Sequence, residues 1–142
     1  MNKTEELLQF IAQNTRMGAD NVTDILDKVK DPELLEVLEG QRKGYVALHE
    51  EVLKMLKEAH VEEEEPQLIP KMAAFIALQW NTMADKSTTH IAQLLIEGGT
   101  MGAVDITRHI NDSQEASAEA KHLAQRLLNF EEGSIDKFKQ FL

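Results

Sequence analysis

The residue types best suited to chemistry lie in the second half of the chain. Glu119 and His122 form a Glu-x-x-His pair, and Asp105 and His109 stand four residues apart. On a helix either spacing puts both side chains on one face. A carboxylate beside an imidazole is a donor set for iron, manganese or zinc. The hairpin described below sets the two pairs opposite one another, so Asp105, His109, Glu119 and His122 are candidates to hold one divalent ion. A plainer reading competes with this one. Glu119 falls near a helix start and His109 in a last helical turn, where an acid and a cation suit the helix dipole. On that reading, His109→Ala and His122→Ala leave any zinc or manganese affinity unchanged. His60, beside an acidic run, reads as a solvated residue, and His90, near a helix start, is uninformative.

A second group is mostly uncharged. Asn14, Asn21, Gln41, Tyr45 and His49 fall where helical periodicity turns them inward and form a candidate polar layer in the core. Such a layer can fix the register between helices or line room for a small ligand beside Tyr45 and Asn14. Gly18 and Gly102 accompany it. A glycine inside a helix costs about 1 kcal/mol relative to alanine, so close helix approach, or space for a ligand, must offset it.

Composition removes other chemistries. With no cysteine in 142 residues, disulfides, thiolate metal sites and thiol nucleophiles are excluded. A net charge of −10 repels phosphate backbones and anionic lipid, so nucleic acid is not an expected partner. No glycine-rich loop follows a strand, and no serine, histidine and acid gather at a nucleophile turn. No apolar stretch is long enough to span a bilayer, and Met1 to Glu6 lacks the apolar core of a leader, so the expectation is a cytoplasmic protein without membrane insertion.

The elements that must position these residues are helices. Apolar residues recur at three and four positions, with only three prolines and seven glycines to interrupt them. The first helix is predicted from Thr4 to Val29 with Asn2 and Glu5 as a capping box. Asp31-Pro32 starts a second, which runs to Ala59. The acidic run Glu62 to Glu65, closed by Pro66, is a solvated connector. Gln67 to Ala84 reads as a helix that is apolar nearly all round. A break at Asp85 to Thr89 precedes a helix from Thr88 to Ile110, and Asp112 with Glu115 is predicted to cap a last helix running to Phe141. The whole is one domain, 1–142, made of a hairpin (4–60), a crossover (61–87) with an extra helix, and a second hairpin (88–142).

The two hairpins resemble each other. An offset of 84 residues lays Met17-Gly18-Ala19 on Met101-Gly102-Ala103, Gln9 on Gln93 and Thr23 on Thr107. An offset one residue larger then sets Leu38 on Leu123, Tyr45 on Phe130, Leu53 on Phe138 and Leu56 on Phe141. Like hairpins joined by a long connection define an all-α four-helix bundle with a crossover. This arrangement, with the Met-Gly-Ala and Asp-Lys-Ser…His-Ile-Ala strings, resembles the ferritin-like superfamily and its small bacterial members of unknown function.

That resemblance implies a di-metal centre built from a glutamate on each of two helices and a Glu-x-x-His pair on each of the others. The matching positions here hold Asn14 and Gly18, Gly98 and Gly102, Val46 and His49, and Glu131 and Ser134, so most of those ligands are missing. The expected function is therefore a non-catalytic ferritin-like bundle with a binding or structural role, for a protein or small-molecule partner, and no cofactor. The alternative is an oxidase binding iron, manganese or another divalent metal through an atypical ligand set. Met72, Phe75, Ile76, Leu78, Trp80 and Met83 give the crossover helix an apolar surface beyond what the bundle covers, which points to a homodimer interface.

Overall fold

The computed structural model describes residues 1–65 and 77–142, and among these all regular structure is helical. Helix α1 spans Lys3–Leu26 and α2 spans Pro32–Glu58. Helix α3 spans Thr88–Asp112 and α4 spans Ala118–Lys139. Each starts where a short polar side chain takes up a free amide. Asn2 Oδ1 accepts from the Glu5 N–H at 2.8 Å, and Asp31 Oδ1 from the Leu34 N–H at 2.9 Å, with Pro32 in the first turn. Ser87 and Ser117 do the same for His90 and Ala120.

The start of α4 corrects the predicted capping pair. Asp112 ends α3, and Ser117, not Asp112, caps the last helix. Between them Ser113 and Ala116 are buried and linked by a 3.0 Å backbone hydrogen bond. Ser117 is fixed from outside its own hairpin by donating its N–H to Thr4 Oγ1 at 2.8 Å. Helix α1 also stops three residues before Val29, which tucks into the core from the turn.

Helix α2 closes with two carbonyls satisfied in sequence: the His60 N–H donates to Lys57 O and the Val61 N–H to Leu56 O. That geometry puts His60 at φ 59°, a conformation that favours glycine. His60→Gly is expected to stabilise the fold by about 1 kcal/mol, read as a rise in thermal midpoint.

Helix α1 packs along α2 and α3 along α4, and the hairpins meet mainly through α2 with α4 and α1 with α4. The Ser117 to Thr4 bond puts the starts of α1 and α4 at one end of the bundle. Thr89 Oγ1 donating to Phe141 O at 3.3 Å puts the start of α3 at the other. Leu7, Ile11, Leu34, Leu38, Leu56, Ile91, Ile106 and Phe138 are fully buried between them. Each such side chain contributes about 1.5 to 3 kcal/mol through removal from water.

Burial also refines the likeness of the two hairpins. Leu7, Leu8, Ile11, Asn14, Thr15, Gly18 and Val22 of α1 are buried, and so is every residue 84 positions later in α3. In the second helices the offset is two residues larger, not one. Leu34, Leu38, Tyr45, Leu48 and Val52 then match the buried Ala120, Ala124, Glu131, Ser134 and Phe138. The counterpart of Tyr45 is Glu131, and Phe130 lies beside it.

Of the expected interface residues, Met72, Phe75 and Ile76 lie outside the described residues, as does most of the helix predicted over 67–84. Residues 77–81 are helical, and the chain leaves the helix before Ser87 caps α3, so the break falls slightly earlier than predicted. Trp80 is 6% exposed and belongs to the core of its own chain, so its burial needs no second copy. Met83 is half-buried against the same core, and Leu78 is 61% exposed.

Candidate functional site

Glu131 sits on the inward stripe of α4, one turn beyond Leu127 and three residues before Ser134, and is 2% exposed. Tyr45 of α2, 3% exposed, donates its hydroxyl to Glu131 Oε2 at 2.6 Å. Among the described residues this is the only hydrogen bond to that carboxyl. Burial pushes the Glu131 carboxyl up to about 7, and the bond from Tyr45 only partly opposes it. The Tyr45 phenol is raised well above its ordinary range, first by burial and then by the charge of Glu131 and the hydrogen bond to it. The bundle interior thus carries one acid whose proton is held into the neutral range.

Glycines make room for the pair. A Cβ on Gly18 would stand 2.5 Å from Tyr45 Cε1, so the ring lies directly on the α1 backbone. Phe130 meets the Tyr45 ring edge-on, with centroids 4.9 Å apart, and itself covers Gly44. A Cβ on Gly99 would come within 2.9 Å of Ile135 and 3.5 Å of Glu131 Oε1. Beside the pair is a chamber of about 30 Å³, lined by Gly18, Asn21, Gln41, Tyr45, Gly99 and Glu131 among others. Asn21 Nδ2 and Gln41 Oε1 are buried there without hydrogen-bond partners, and so is Asn14 Oδ1 further along α1. Asn21 and Ile25 also line a cleft of about 360 Å³ at the surface, whose far wall includes Ala77, Trp80 and Asn81.

His49, the last member of the expected polar layer, serves a different contact. Thr15 Oγ1 donates to Ile11 O at 2.8 Å and lies 3.0 Å from His49 Nδ1, a hydrogen bond whose direction follows the tautomer of the ring. His49 Nε2 then turns toward Glu63 Oε1 at 3.6 Å, with Arg16 3.8 Å from the same oxygen. Gln9, 4% exposed, holds the connector on both sides of Glu63, donating to Glu62 O at 2.7 Å and accepting from the Glu64 N–H at 3.0 Å. The acidic run read as freely solvated is strapped to the bundle by these bonds. Periodicity could not reveal a contact between residues 53 positions apart.

The four candidate metal ligands lie near the other hairpin's turn. Asp105 and His109 do meet: Nδ1 of His109 is 2.9 Å from Asp105 O and 3.7 Å from Asp105 Oδ1. The His109 ring stacks on Phe10 with centroids 3.6 Å apart. Glu119 and His122 are exposed, and His122 lies close enough to Glu51 to help lower its carboxyl, after the larger effect of the Arg126 hydrogen bond. Among the described residues no three of His, Asp or Glu are grouped to hold a metal ion. At mid-bundle the inward positions are Asn14 and Gly18, Gly98 and Gly102, Tyr45 and His49, and Glu131 and Ser134, while Val46, expected among them, is exposed and gives way to Tyr45. One buried carboxylate paired with a phenol does not fit a di-iron centre, which needs several carboxylates and two imidazoles.

Fold and interior together define an all-α helical bundle with a buried polar layer. A crystal structure of a DUF305 fragment from Deinococcus radiodurans is similar to it. The likeness covers 99% of this chain and 95% of that one, with a TM-score of 0.75 and 15% identity, which is a likeness of fold. No protein-family profile and no curated protein matches the chain. No helix among the described residues is long and apolar enough to cross a membrane.

Proposed function

We propose that this protein is a ferritin-like bundle that works by binding at its interior polar layer and not by di-metal oxidation. The observation that carries the reading is the Tyr45–Glu131 pair. Glu131 stands at a position of α4 matched to a metal ligand of the ferritin-like superfamily, Tyr45 meets it from α2, and Gly18, Gly98 and Gly102 are among the matched positions of α1 and α3. Common starts for α1 and α4 support the ferritin-like connection, in which the segment after α2 travels the length of the bundle to reach α3. The fold alone says nothing about activity, so the reading stands on the site.

The test is direct. The chain is purified without chelator after growth with added iron, and bound iron and ferrous oxidation are measured. Substoichiometric iron and an oxidation rate equal to buffer are expected. One or two irons per chain with accelerated oxidation would replace this reading with that of an atypical metal oxidase.

We further propose that the chain self-associates as a homodimer, the commonest closed symmetry, through the face that carries Leu78. The exposure of Leu78 beside the inward-facing Trp80 supports it. Leu78→Glu is expected to shift sedimentation from dimer to folded monomer. A wild type that is monomeric at high concentration contradicts it.

A further inference from the structure

The unpartnered groups around the Tyr45–Glu131 chamber have a pattern that selects a ligand. We propose that the chamber binds the head of a small primary carboxamide, whose ring or chain lies in the adjoining cleft against Trp80. The inference rests on reading the interior layer as a binding site, and it names the chemistry that layer recognises.

Three polar groups line the chamber without a full set of partners. Asn21 Nδ2 is a donor, Gln41 Oε1 an acceptor, and Glu131 has an oxygen that Tyr45 does not reach. Because Oε2 of Glu131 takes the Tyr45 hydrogen, the acid form carries its own hydrogen on Oε1 and becomes a second donor. A carboxamide oxygen has two lone pairs and its nitrogen two hydrogens. The oxygen accepts from Asn21 Nδ2 and Glu131 Oε1–H, and the nitrogen donates to Gln41 Oε1. When Glu131 is ionised, the two amide hydrogens go to Gln41 Oε1 and Glu131 Oε1, and the oxygen still accepts from Asn21. One head therefore satisfies the chamber in both protonation states. Buried groups left unpaired are costly, which turns this match into selectivity.

Competing heads fail on specific atoms. A primary ammonium has no acceptor for Asn21 Nδ2. A carboxylate has no donor for Gln41 Oε1 and brings its charge into a buried chamber whose lining holds no cation to pair with it. The size agrees as well: since a water needs at least about 10 to 15 Å³, a chamber of about 30 Å³ has room for the three heavy atoms of a carboxamide head. Asn21 and Ile25, one helical turn apart, line both cavities, so the proposed ligand must pass between these two side chains. Trp80 is among the residues that line the cleft, so a ring held there alters the surroundings of its largely buried indole.

Trp80 is the only tryptophan in the chain, so its fluorescence reports on the cleft alone. The full chain is titrated near pH 6 with benzamide, benzoate and benzylamine as probes. Benzamide is expected to give a saturable change, with benzoate and benzylamine at least tenfold weaker, the discrimination of one missing hydrogen bond. Gln41→Leu, checked for an unaltered helical signal, is expected to weaken benzamide by about tenfold or more. In the wild type, binding should also shift the carbon-13 resonance of the Glu131 carboxyl, a readout that needs no variant to fold. No saturable response up to about 10 mM, the range of the weakest specific binding, would mean that the chamber takes only solvent and overturns the proposal. So would equal affinity for benzoate, or undiminished affinity in Gln41→Leu. Neither result alters the iron measurement, so the carboxamide can fail while the non-oxidase reading stands.

Discussion

Gly18→Leu is expected to lower the thermal midpoint by roughly 6 to 12 °C, a loss of about 3 kcal/mol for a chain of this size. The cost comes from geometry. Even a methyl group at this position would stand 2.5 Å from the Tyr45 ring, which cannot swing aside freely. Its hydroxyl is tied to Glu131 at 2.6 Å and its ring meets Phe130. Gly18→Ala should therefore destabilise too, against its helix propensity. Gly40 provides the contrast, because it is exposed and a Cβ there meets nothing within 4 Å. Gly40→Ala is expected to stabilise by up to about 1 kcal/mol. Opposite signs for one substitution in two helices would show that the α1 to α2 contact, and not helix propensity, decides the outcome. Unchanged melting of Gly18→Leu would mean that Tyr45 does not lie on α1.

Glu131→Gln is expected to make stability nearly independent of the pH range in which the wild type weakens. The folded carboxyl is raised to about 7 from an ordinary value of 4.5. Below about pH 4.5 it is protonated in both the folded and the unfolded chain and contributes no slope. Between 4.5 and 7 the unfolded chain releases the proton while the folded chain keeps it, so stability falls as pH rises. Above about pH 7 the loss is complete and amounts to about 3 kcal/mol. A glutamine keeps the acceptor for the Tyr45 hydroxyl without a charge to bury. The variant should match the wild type at about pH 4 and melt roughly 6 to 10 °C above it at about pH 8. Equal melting of the two proteins at pH 8 would place Glu131 in solvent.

Most helix boundaries were legible because their signals are local. Asn2 and Asp31-Pro32 cap the helices they were expected to cap. The start of α4 was not, because Asp112, Ser113 and Ser117 are all competent caps. Long-range contacts choose among them: burial of Ala116 and the bond from Ser117 to Thr4. Glu131 was legible in principle. Ala124, Leu127, Glu131, Ser134 and Phe138 follow helical spacing, and the structure buries all five. The one-residue offset placed Phe130 opposite the first hairpin's Tyr45 and left Glu131 looking like half of a metal motif. The two-residue offset was hidden because Phe130 is also a core-type residue. Asn14, Asn21, Gln41, Tyr45 and His49 were placed together from periodicity. The division between Tyr45, bound to Glu131, and His49, facing Thr15 and Glu63, depends on pairings across 86 and 34 residues for the two hydrogen bonds. No local pattern carries those.

On the proposed reading, the middle of this bundle holds a protonated acid and no metal centre. The carbon-13 shift of the Glu131 carboxyl, recorded at about pH 6 before and after excess zinc, tests it most directly. A predominantly protonated carboxyl that zinc leaves unchanged is the expected result. A carboxyl already ionised at that pH, or one whose resonance moves stoichiometrically with added metal, would contradict it.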